Sequence, residues 1–198
     1  MMKRFLYLLL IFVVATLGAC NYSEADLKKE NEPSEKTYYE IIDKTDEGGE
    51  YGYEFFIYDG KGNIVLHNET RVEPRIEYTE SGLLEIMVSV GSSAQLFRYY
   101  DIEKNILSEE SFWNPAAVKG DMIAYMTLDD ENNILLAVQN IFDRNVFYKE
   151  FEFDFSPTAV PSNVLEKAEF IDDNTLSITY MKGEDYLSEN AIIQLNDE

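Results

Sequence analysis

Apolar and polar side chains alternate along short stretches of this chain, and they rarely fall at helical spacing. Phe147-Tyr148-Lys149-Glu150-Phe151-Glu152-Phe153 alternates at period two, the signature of a half-buried strand. Tyr53-Glu54-Phe55-Phe56-Ile57-Tyr58 is similarly rich in β-favouring aromatic and branched residues. Shorter apolar segments at 83–90, 122–128 and 175–181 predict further strands. The one stretch that suits a turn of helix is 162–168. The pattern predicts an all-β antiparallel meander.

The turns carry a second pattern. Asp59-Gly60-Lys61-Gly62-Asn63, Asp101-Ile102-Glu103-Lys104-Asn105 and Asp143-Arg144-Asn145 each follow an apolar strand, and each asparagine precedes a β-branched residue expected to open the next strand. Asparagine suits such turns because it tolerates the left-handed region and bonds its own backbone. Asn63, Asn105 and Asn145 are 42 and 40 residues apart, and a weaker fourth copy is expected near Asn190-Ala191-Ile192-Ile193. A period near 40 with about four short strands per unit resembles the blade pattern of a small β-propeller. That resemblance implies a propeller-like domain of about four small blades. A β-barrel or β-sandwich is the alternative, because any meander turns every 8–12 residues or so. Ser156-Pro157 and Val160-Pro161 interrupt the period within 151–165, where proline removes a ladder donor.

The N-terminus has a different character. Lys3 and Arg4 precede a thirteen-residue apolar run, 5–17, that ends in Leu17-Gly18-Ala19-Cys20. A basic start, a short apolar stretch and small residues before a cleavage point make a secretory signal peptide. Thirteen residues fall short of the roughly 17–25 a spanning helix needs. The Leu-Gly-Ala-Cys ending resembles the lipobox of bacterial lipoproteins, which implies that Cys20 becomes the first mature residue and carries a diacylglyceryl anchor. Two acyl chains hold a bilayer stably, where one does so only marginally. The resemblance supplies a location, the extracytoplasmic face of the cell membrane, and no activity. Cys20 is the sole cysteine, so disulfides and cysteine catalysis are excluded. Residues 20–36 are dominated by charged and small side chains around Pro33, too few of them apolar to offset ordering entropy. They read as a flexible tether with a reach on the order of 20 Å. Residues 37–198 then form a single all-β domain.

Charge narrows the partners. The chain has 16 Lys+Arg against 38 Asp+Glu, a formal charge of −22, and 1–19 contribute only the cations Lys3 and Arg4. Such a balance excludes nucleic acid, whose phosphates would be repelled, and any electrostatic hold on an anionic bilayer. It suits a soluble monomer held to the membrane only through lipid on Cys20, with a protein or glycan ligand.

Candidate chemistry is sparse. His67 is the only histidine and reads as a structural or surface residue, with no nucleophile elbow in the chain. One histidine and one lipidated cysteine cannot build a zinc site. Asp129-Asp130-Glu131-Asn132-Asn133 and the acidic stretch 43–50 lack the spacing of a calcium loop and read as turns. Trp113 is expected in the core, and of each adjacent pair Tyr38-Tyr39 and Tyr99-Tyr100 one member is expected to face solvent. No catalytic residue, metal ligand or cofactor is assigned. The expectation is a noncatalytic binding or scaffold domain; a carboxylate-dependent hydrolase or carbohydrate-active protein and a calcium-dependent adhesion module are the alternatives.

Overall fold

Among the described residues the period-two segments fold as fifteen strands paired antiparallel in four separate sheets. The structure is a computed structural model and describes residues 37–44, 52–91, 94–158 and 160–196. The signal segment, Cys20 and the tether lie outside the described residues, as do 45–50 of the first acidic stretch.

The first sheet is β1 (Tyr39–Asp43), β2 (Tyr53–Tyr58) and β3 (Ile64–Thr70), in that order. The second runs β4 (Arg75–Tyr78), β5 (Leu84–Ser89), β6 (Gln95–Asp101) and β7 (Ile106–Leu107), with β8 (Phe112–Trp113) also paired to β6. In the third, β9 (Ala117–Lys119), β10 (Met122–Leu128), β11 (Ile134–Asn140) and β12 (Tyr148–Phe151) follow one another. The fourth is β13 (Leu165–Phe170), β14 (Thr175–Lys182) and β15 (Leu187–Gln194). The fold is thus an all-β antiparallel meander, and no closed barrel forms. Strands β5 and β10 lie in different sheets rather than in one continuous one.

Packing follows chain order. Phe55 and Ile57 of β2 meet Ile76, Leu84, Ile86 and Tyr100 between the first and second sheets. Phe97, Tyr99 and Phe112 meet Ile123 and Ile141 between the second and third. Met126, Leu136 and Val138 meet Leu176, Ile178 and Tyr180 between the third and fourth. The two middle sheets are therefore covered on both faces. Strand β11 accordingly reads as a nearly continuous buried run, Leu135 to Gln139, instead of alternating. The outer sheets keep one face in water, so β15 alternates and leaves Ile192 exposed.

This layering corrects the expectation for Tyr99-Tyr100. Both are fully buried, because each side of the second sheet faces another sheet. Three local corrections follow as well. After Asn145 the strand resumes only at Tyr148, since 143–146 form a turn in which the Asp143 carbonyl accepts from Val146 N–H. Asn190 lies inside β15, and the turn before that strand is at 183–186. The helical stretch shrinks to a 3-10 turn, Pro161–Val164, and β13 starts at Leu165.

Turns at 59–63, 143–146 and 183–186 each connect the last two strands of a sheet, and the turn at 102–105 connects β6 to β7, with β8 following in the same sheet. Aspartates close several of the chain's turns. Asp59 Oδ1 accepts from the backbone of Lys61 and Asn63 (2.7 and 2.8 Å), while its Oδ2 accepts from Asn63 Nδ2 (2.7 Å). Asp129 repeats the arrangement with Glu131 and Asn133, all at 2.8 Å. The fourth residue takes positive φ in both, 86° at Gly62 and 65° at Asn132, which glycine and asparagine tolerate best.

Two predictions test this packing and these turns. Leu136→Ala should cost about 2–5 kcal/mol of unfolding free energy in denaturant titration, the usual range for emptying a buried leucine site. Hydrogen bonds, foremost from the Asn63 and Asn133 side chains, hold the Asp59 and Asp129 carboxyls below their ordinary range. Their stabilisation is present above the unfolded value of about 3.9 and lost as pH falls through the lower folded value. Replacing both by alanine should flatten the loss of stability between about pH 5 and pH 2 in urea midpoints. An acid slope as steep as the native one would contradict that assignment.

Candidate functional site

The inward face of β6 presents Leu96, Arg98 and Tyr100 toward the first sheet, directly across from Val88, Ile86 and Leu84 of β5. Arg98 is the misfit in this row, a cation on a face that otherwise builds core. Its Nη2 donates to the Ser108 carbonyl, which fixes the guanidinium plane. The Nε–H is buried and meets no acceptor. Leaving a buried donor unsatisfied costs about 1–3 kcal/mol. Burial also pushes the Arg98 pKa below its ordinary value, yet a guanidinium stays charged at any physiological pH.

Arg98 lines a cleft of about 570 Å3 between the first and second sheets. Phe55 and Leu66 form one wall, and Ile86, Val88 and Leu96 the other. Val72 and Val90 stand exposed where the cleft opens. Arg71, exposed at the end of β3, supplies a second cation, and Glu69 is the one carboxylate residue along the lining. Several other described cations hold a carboxylate: Arg75, Lys104, Lys119, Lys167 and Lys182 each have one. Among the described residues Arg71 and Arg98 hold none, in a chain where acids outnumber bases by 38 to 16. What sets Arg98 apart is that it is unpaired at an inward position among apolar walls.

His67 lies elsewhere, on the solvent face of the first sheet. Its ring stacks on Phe56 with centroids 4.5 Å apart and planes 4° from parallel. Its Nε2 is 2.7 Å from Glu54 Oε1, and Lys44 Nζ is 2.5 Å from Glu54 Oε2. The Lys44 hydrogen bond, opposed by partial desolvation and helped by His67, holds the Glu54 carboxyl below its ordinary range. These groups satisfy one another across β2 and β3, on the face of the sheet opposite the cleft.

Trp113 corrects its expectation. It is 54% exposed, whereas Phe112 beside it is buried against Tyr99 and Tyr125. Strand alternation on β8 decides which of the two enters the core. At 129–133 the Asp129 oxygens are engaged by their own turn, and among the described residues no three His, Cys, Asp or Glu side chains converge as metal ligands. Arg98 escaped the sequence reading. Its signal was a charge at an inward position, but inward and outward could not be told apart on a strand covered on both sides.

No family model, no curated protein and no solved structure matches this chain.

Because no carboxylate pairs with Arg98, its removal strands no buried charge. Arg98→Met should therefore change the unfolding free energy by no more than about 1–1.5 kcal/mol, the lost Ser108 bond offsetting relief of the orphaned Nε–H. A loss of about 3–5 kcal/mol in denaturant titration, typical of a broken buried ion pair, would show a charge partner that the geometry lacks.

Proposed function

We propose that this chain is a lipoprotein anchored through Cys20 to the extracytoplasmic face of the cell membrane, and that its β domain binds a ligand without catalysing a reaction. The cleft between the first and second sheets carries the binding half of this reading: apolar walls around a cation that has no carboxylate partner. Pockets of about 300–1,000 Å3 with mostly apolar walls and a few placed polar groups are the usual form of small-molecule sites. The anchoring half rests on Lys3 and Arg4, the apolar run 5–17 and the Leu17-Gly18-Ala19-Cys20 ending. The acidic balance favours a monomer that stays clear of anionic surfaces except at its lipid.

A carboxylate-dependent hydrolase needs two carboxyl groups facing one bond; the cleft lining holds one carboxylate residue, Glu69, whose carboxyl lies 3.7 Å from Lys44 Nζ. A calcium-dependent adhesion module needs free carboxylate oxygens, and the turn at 129–133 commits both oxygens of Asp129 to its own hydrogen bonds. We also read the four sheets as copies of one propeller-like unit. Support comes from the turns at 59–63, 102–105, 143–146 and 183–186, which recur near 40 residues and each join two consecutive antiparallel strands of one sheet.

Cys20→Ser tests the anchor. The variant should lose lipid labelling and leave the membrane fraction, because the thirteen-residue apolar run 5–17 falls short of the roughly 17–25 residues a spanning helix needs. Retention of the unlipidated protein after a high-salt wash would refute lipid anchoring.

A further inference from the structure

We propose that the cleft between the first and second sheets takes a small amphiphile with one apolar chain and a carboxylate head, the head lying against Arg98. This rests on reading the cleft as a ligand site. Three observations select the class. First, Phe55, Leu66, Ile86, Val88 and Leu96 give the cavity walls that prefer hydrocarbon to water. Second, Arg98 brings a full positive charge to those walls, with one N–H fixed on Ser108 and no carboxylate paired with it among the described residues. A neutral apolar ligand would cover that cation without compensating it, which is the costly case. A carboxylate compensates it, and planar guanidinium matches planar carboxylate in shape and donor spacing. Third, Arg71 in the same lining adds a second cation that holds no carboxylate among the described residues.

The formal charge of −22 argues for a small head instead of a polyanion. Exposed charges farther away than a Debye length of about 8 Å at physiological salt act weakly on one carboxylate. A nucleic acid or an acidic protein surface would meet many of them at once. The cavity of about 570 Å3 suits a single chain.

Trp113 provides the readout. It is the only tryptophan in the chain, and it pairs across β8 and β6 with Leu96, a wall of the cleft. The experiment uses the full chain in vesicles of zwitterionic lipid, titrated with decanoate, decanol, decylamine and acetate. Binding is followed by Trp113 emission and by calorimetry on the same vesicles. Decanoate should bind saturably and at least about tenfold more tightly than decanol, a difference of about 1.4 kcal/mol. Decylamine and acetate should bind more weakly still. Arg98→Met should bring decanoate down to the level of decanol and leave decanol unchanged. If that variant does not fold, Arg71→Gln, at an exposed position, decides the matter by weakening decanoate alone.

Equal affinity for decanoate and decanol, unchanged in both variants, would overturn the anionic head while leaving the cleft a ligand site. Acetate binding as tightly as decanoate would overturn the apolar chain, and preference for decylamine would overturn the charge assignment. No binding by any probe in either readout would overturn this proposal together with the reading of the cleft on which it rests.

Discussion

Sheet-on-sheet burial is the constraint from which the rest of this fold follows. A sheet of three or four short strands is not stable alone, because it buries too little apolar surface to offset its ordering. Here each sheet is completed by the next. Tyr100 packs toward the first sheet while Tyr99, one residue earlier, packs toward the third. Ile123 and Ala124 divide in the same way between the second and fourth sheets. A middle sheet with two apolar faces has no solvent side on which to place polar residues, so those it contains must be satisfied internally. Gln139, 1% exposed, accepts from Tyr125 and donates to Glu110. Asp101 accepts from the Lys104 backbone, and the Lys104 ammonium bridges it to Asp121 at the next sheet.

Against that rule Arg98 stands out. Its row on β6 is built for packing, and the other buried polar groups in the sheet have found partners. One unmatched donor and one unmatched charge persist where the two sheets diverge enough to leave a cleft. A protein that kept the face wholly apolar would avoid the cost of burying them. Retaining a strained electrostatic feature where the fold also leaves space is the physical basis for assigning a ligand to this place and not to the solvent face bearing His67, where Glu54, Lys44 and Phe56 already complete one another.

The abundance of carboxylates turns out to serve local geometry in good part. Asp59, Asp101, Asp129, Asp143 and Asp172 each accept hydrogen bonds from backbone N–H groups two to four residues ahead. An aspartate at this position lets a tight turn satisfy donors that would otherwise depend on water. Acidic clusters in such a chain therefore say more about where strands reverse than about where a cation binds.

Alternation of apolar side chains and the Asp, Asn and Gly spacing of the turns determined the class of this fold from the sequence alone. Both act over a few residues: strand periodicity is a property of the pleat, and turn chemistry is a property of four or five neighbours. Most of the strand order was legible for the same reason, since a meander pairs each strand with the next; β8, which pairs with β6 and not with β7, is the exception. What tertiary structure decided was the fate of each face. Whether Tyr99 or Tyr100 met solvent, whether Trp113 or Phe112 entered the core, and whether Arg98 pointed inward depended on which sheet covered which. Those contacts join residues far apart in the chain, such as Phe55 with Ile86 and Met126 with Leu176. A cleft between two sheets exists only once they have stacked, so no local pattern in β3, β5 or β6 could announce that their side chains would enclose one.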